Sequence, residues 1–148
     1  MKKIFLVTLF LCYCFLSTPA QAQDNSTPGT VWRVTLIKVK PGKMSELLME
    51  MRQNLRPLHE EYKKQGLIVD YKLYTNSTTD SSGDWNIALA VGYKNRAALD
   101  DLARKTDPIT LKHYGTREKR QEAADKRNQL FEVVSSRLMR EITLNPLP

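Results

Sequence analysis

The chain is expected to fold as one α+β domain, because its hydrophobic period switches from two residues to about 3.6 and back, with glycine or proline at the switches. Thr30 to Val39 is rich in β-formers and is stopped by Lys40-Pro41-Gly42-Lys43. Met44, Leu47, Leu48, Met51, Leu55, Leu58 and Tyr62 then recur at helical spacing, and two further strand-like runs follow.

Each element has its own signal. In the first strand Trp32, Val34 and Leu36 share an apolar face, and Val31, Arg33, Thr35 and Ile37 share a mixed one. The helix after it carries Pro57, whose missing N–H predicts a kink or two shorter helices. Lys63 and Lys64 favour a helix end, and Gly66 permits the left-handed residue that closes it. Leu67 to Tyr74 reads as the second strand and polar Thr75 to Asp84 as a loop. In the third strand Trp85, Ile87, Leu89, Val91 and Tyr93 alternate with Asn86, Ala88, Ala90 and Gly92. Large residues on one face and small ones on the other predict that both faces are covered. A helix over Asn95 to Lys105 follows, capped by Asn95, and then a short helical segment opened by Asp107-Pro108 and ended by Gly115. Thr116 to Ser136 reads as a charged helix with Ala123, Ala124, Leu130, Phe131 and Val134 inward, and Arg137 to Leu144 as the fourth strand.

The N-terminus predicts export. Lys2 and Lys3 precede the apolar run Ile4 to Leu16, and Ala20-Gln21-Ala22 supplies a small-x-small end, as in a cleavable signal peptide over residues 1–22. The run is shorter than the ~20 residues of a membrane span, so no stable membrane insertion is expected after cleavage. Tyr13 stands where a lipid-attachment motif wants a small residue. The expected location is periplasmic or secreted. Residues 23–29 read as a disordered leader and 30–148 as the folded domain.

Cys12 and Cys14 both lie in the signal segment, so the mature chain has no disulfide and must be held by its core or by a second subunit. The net charge of +7 falls to +5 once Lys2 and Lys3 are removed. Lys112 to Arg127 is basic, but Glu118, Glu122 and Asp125 interleave at helical ion-pair spacing, which marks a solvated helix face. No nucleic-acid partner is expected.

The order of elements is βαββαβ, the ferredoxin-like arrangement with an antiparallel sheet. Val39-Lys40-Pro41-Gly42-Lys43, Arg56-Pro57-Leu58-His59-Glu60-Glu61 and Trp85-Asn86-Ile87-Ala88-Leu89 resemble the dimeric α/β-barrel superfamily, which includes antibiotic-biosynthesis-type monooxygenases, EthD-like proteins and stress-responsive barrel proteins. The resemblance covers Val31 to Leu102. It implies a homodimer with sheets packed face to face and a pocket between each sheet and its own helices. Asp107 to Val134 departs from the simplest members by inserting an extra helix before the last strand, placed to narrow or cover that pocket.

His59, one position after inward-facing Leu58, is the candidate general base. Tyr62, Tyr71, Asn86 and Arg33 are the candidate ligand-pocket residues, since a polar group on a covered strand face needs a partner. His113 reads as a surface residue. Two histidines without acids at ligand spacing predict no metal. Trp85 and Asn86 point to opposite strand faces, which argues against a haem pocket, and no cofactor is expected. The expected function is binding of a small organic molecule by an exported protein of this type, its specific activity undefined. The alternative is cofactor-independent oxidation, or a related reaction, of an aromatic or polyketide-like compound.

Overall fold

The structure, a computed structural model, describes residues 26–78 and 84–146. The signal-peptide reading of 1–22 lies outside the described residues. In chain order the elements are β1 (Ser26–Val39), α1 (Met44–Glu50), a π-helical turn (Met51–Leu55), α2 (Arg56–Lys64), β2 (Asp70–Thr75), β3 (Ile87–Tyr93), a 3₁₀ turn (Arg96–Leu99), α3 (Leu102–Tyr114), α4 (Arg117–Asn128) and β4 (Phe131–Leu144). Internal contacts set residues 28–143 apart from a small unit to which Ser26, Thr27 and the described residues from Leu144 on belong. Within the small unit Thr27 Oγ1 donates to Asn145 Oδ1 at 3.0 Å.

The four strands form one sheet in the order β2-β3-β1-β4. β3 pairs antiparallel with β1, Thr35 opposite Leu89, and with β2, Leu73 opposite Leu89. Thr35 bonds through its hydroxyl to Ser136 at 3.0 Å, while Lys40 N donates to Leu130 O at 2.9 Å. Numbers rise along β1 as they fall along β4, so this pair is antiparallel too. This is the ferredoxin-like α+β fold that the order of elements predicts.

Side-chain alternation sorts the sheet into two faces. Ile37 and Ile87 point toward the helices and pack with Leu47, Met51 and Leu130, and Leu47 is fully buried. Further along, Ile68, Val91 and Tyr93 form a second cluster against Tyr62, Tyr71 and Leu102. The opposite face carries Trp32, Val34 and Leu36 of β1 beside Gly92, Ala90 and Ala88 of β3. The Trp32 indole lies over Gly92, where an added Cβ would meet it at 3.1 Å. No helix packs on this face among the described residues.

Several boundaries differ from the sequence expectation. Ser26 to Gly29 belong to β1, which corrects the disordered leader at those positions. Pro57 does not split the first helix: the backbone stays right-handed helical from Met44 to Lys64, with a π-helical turn over Met51–Leu55 just ahead of the proline. Pro108 does not open a helix but sits inside α3, which runs on to Gly115 at φ +84°. The charged helix stops at Asn128, and Leu130, Phe131 and Val134 are not its inward stripe: Phe131 and Val134 belong to β4. The short run Phe131 to Val134 fits either period, and pairing with β1 decides for strand. Among the described residues no helix is long and apolar enough to cross a membrane.

Because Leu47 is wholly enclosed by both α1 and the sheet, Leu47→Ala should lower stability by about 2–5 kcal/mol, read as a drop in the urea midpoint at constant slope.

Candidate functional site

A cleft of about 470 Å³ lies between the sheet and its helices. Thr35 and Ile37 of β1 form its floor, with Phe131 and Val133 of β4 beside them. Glu50, Met51, Leu55, His59 and Tyr62 descend into it from the first helical arm, whose π-helical turn supplies Met51 and Leu55. Thr110 and Tyr114 come from α3. α4, the helix the sequence marks as an insertion, adds Arg120, Gln121, Ala124 and Arg127.

Most polar groups here are already engaged. His59 Nδ1–H donates to Leu55 O at 2.9 Å, which fixes the tautomer and leaves the lone pair on Nε2. The ring lies between Tyr62 and Tyr71, at centroid distances of 5.6 and 5.1 Å. Burial holds its pKa below the ordinary 6.5, against the raising pull of the Leu55 carbonyl and the Glu60 charge. Thr110 Oγ1 donates to Thr106 O at 2.8 Å. Its one proton is therefore spent, so the 2.8 Å contact with Tyr62 must be donated by the phenol. Arg120 is bonded to Asp107, and that hydrogen bond holds the Asp107 carboxyl below its usual range.

Two atoms remain. Glu50 Oε1 accepts a weak bond from Asn54 at 3.4 Å and lies 3.5 Å from Arg127, but its Oε2 is buried with no partner in the protein. The Tyr114 hydroxyl is buried without a partner as well. Burial raises the phenol's pKa, while Arg127, nearby but without a well-formed hydrogen bond, pulls it down.

A second hollow of about 410 Å³ adjoins this cleft through His59 and Tyr62, which line both. Arg33 stands in its wall, its guanidinium 5.7 Å above the Tyr93 ring.

The structure thus brings His59, Tyr62 and Arg33 around connected space. Tyr71 touches the His59 ring, but its hydroxyl donates outward to Glu60 at 2.8 Å. Asn86 is elsewhere: its Oδ1 accepts from Val39 N at 2.7 Å, closing the end of the β1–β3 ladder, and it lines neither hollow. His113 donates through Nε2 to Asn54 Oδ1 at 3.0 Å. Sequence reasoning missed Glu50 and Tyr114. Glu50 did carry a signal, since it falls three residues after Leu47 and next to Met51, an acid on the apolar stripe. Among the described residues no group of three or more His, Cys, Asp or Glu is arranged to hold a metal.

No protein-family model and no curated protein matches the chain. The chain is similar to a solved dimeric protein of unknown function with a ferredoxin-like fold from Bacteroides fragilis, with 22% identity over 76% of this chain and 95% of that one, at a TM-score of 0.42. A dimeric ferredoxin-like protein from an uncultured marine organism shares 9% identity over 82% of this chain and 93% of its own, at a TM-score of 0.49. Another, of unknown function, from Jannaschia sp. shares 10% over 76% and 98%, at 0.44.

The lowered pKa of His59 makes stability depend on pH in a definite direction. As pH falls from about 7 toward 5, the unfolded chain protonates this residue before the folded protein does, so the folded state loses stability across that interval. His59→Asn should flatten that part of the stability profile, measured by urea unfolding at a series of pH values and compared with the native protein.

Proposed function

We propose that the protein binds a small organic molecule in the cleft between its sheet and helices. The observation that carries this reading is the pair of buried, unpartnered atoms, Glu50 Oε2 and the Tyr114 hydroxyl, in a cleft whose other polar side chains are mostly paired within the protein. Leaving a polar group buried and unpaired costs on the order of 1–3 kcal/mol, and a ligand hydroxyl or amide would recover it. The cleft is of the size ordinary small-molecule sites have.

The same reading makes the chain an exported member of the dimeric α/β-barrel superfamily. Support comes from the signal-like segment Lys2 to Ala22, from the stretches that resemble that superfamily, and from the open sheet face. Trp32, Val34 and Leu36 there are only half-buried, and Tyr74 is exposed. A second copy laid on this face would cover them, as a chain without disulfides needs. Catalysis is the second reading, favoured by His59: a neutral imidazole with a fixed tautomer and a lone pair on Nε2 is what a general base requires. On that reading the substrate is an aromatic or polyketide-like compound oxidised without a cofactor.

Native mass spectrometry of protein purified gently from its source tests the main reading. A dimer carrying a reproducible extra mass supports it; a bare protein that takes up no member of a small-molecule panel overturns it. Tyr114→Phe separates a ligand site from a structural one. Removing an unsatisfied hydroxyl should raise stability by about 1 kcal/mol by urea unfolding while weakening retention of the bound mass. Val34→Asp places a charge in the middle of the open face and should convert the dimer to a monomer in the same spectra, with the circular dichroism unchanged.

A further inference from the structure

Arg33 departs from the pattern of its strand. On the helix-facing side of β1 it follows Val31 and precedes Thr35 and Ile37, where an apolar or small residue would pack. It stands instead in the wall of the second hollow, among Ile68, Val91, Leu99 and Leu102. The polar Thr106 of that wall donates its hydroxyl to Leu102 O at 2.9 Å and has no proton left to offer a ligand. No carboxylate lies within ion-pair distance of Arg33 among the described residues, and its neighbour is the ring of Tyr93. A guanidinium in this position presents a planar fork of donors, the geometry that carboxylates accept in bidentate fashion.

The two hollows lie end to end. Arg33 marks one end, Thr35 and Ile37 floor the other, and His59 and Tyr62 are common to both. Residues 33 to 37 span about 13 Å of strand at ~3.3 Å per residue. One end offers a cation; the other offers Glu50 Oε2, an acceptor, and the Tyr114 hydroxyl. Between them the walls are apolar and aromatic.

We propose that the ligand is an amphiphilic organic acid, its carboxylate held by Arg33 and a hydroxyl at its far end held by Glu50 and Tyr114, with the apolar body passing His59 and Tyr62. This rests on the cleft being a binding site and adds the chemical class and the direction in which the molecule lies. A neutral molecule would forgo the fork of donors that Arg33 presents, and an acid without the distal hydroxyl would leave Glu50 Oε2 bare.

Isothermal titration with para-hydroxyphenylbutanoate and with its alcohol, para-hydroxyphenylbutanol, tests the assignment on the purified protein. The acid should bind about tenfold more tightly or better, the difference a charged hydrogen bond makes. Arg33→Gln should bring the two to within about twofold of each other by weakening the acid alone, and Arg33→Lys should keep part of the preference. Arg33 is exposed, so these variants should fold, which circular dichroism checks. Equal binding of acid and alcohol by the native protein, or a preference that survives Arg33→Gln, overturns the assignment while leaving the cleft as a binding site. Binding of neither probe removes both.

Discussion

Pro57 has no backbone N–H to give, and the first helical arm is organised around that loss. A continuous α-helix would need Pro57 to donate to the carbonyl of Gln53. The chain instead widens into a π-helical turn over Met51–Leu55 and runs on as α2 without leaving the helical region. This one continuous arm serves two stretches of sheet. Leu47 and Met51 close over Ile37 and Ile87, while Tyr62 reaches the cluster of Ile68, Val91 and Tyr93. Between these clusters the cleft stays open. π-helical turns recur at functional sites for this reason, since they displace side chains that a regular helix would pack.

The polar groups around the cleft divide by what they are bonded to. His59 through Nδ1, Tyr62, Thr110 and Arg120 are each hydrogen-bonded within the protein, and their partners hold them in place. Glu50 Oε2 and the Tyr114 hydroxyl are not. A fold that can build a closed hydrogen-bond relay from α2 to Thr106 has the means to satisfy two more atoms. That it leaves these two buried and bare gives the cleft its chemical polarity.

The sheet, its strand faces and the disturbance of the first helix near Pro57 were legible because each rests on local chemistry. Alternation placed Val34 opposite Thr35, and Gly66 marked a helix end that occurs at φ +69°. The start of β4 was not legible, because Ala123, Ala124, Leu130, Phe131 and Val134 satisfy a helical stripe as well as a short strand does, and only pairing with β1 decides. The candidate site was half visible. His59 and Tyr62 could be placed from their distance to Leu58, whereas Asn86 looked like a pocket residue and is bonded to Val39 N. A polar side chain facing a sheet end and one facing a cavity give the same sequence signal. Glu50 shows the converse: its position on the apolar stripe was readable, but its unpartnered oxygen depends on α4, which comes some seventy residues later in the chain.

The pairing of β1 with β4 joins the two ends of the domain, as the bond between Thr35 and Ser136, separated by 101 residues, makes plain. β1 can pair with β3 on one side, but its other side waits for β4, the last of the described strands. Loops of that length close slowly, because the entropy of bringing distant segments together must be met before any contact forms. The burden of timing therefore falls on β4, the strand that closes the far side of β1.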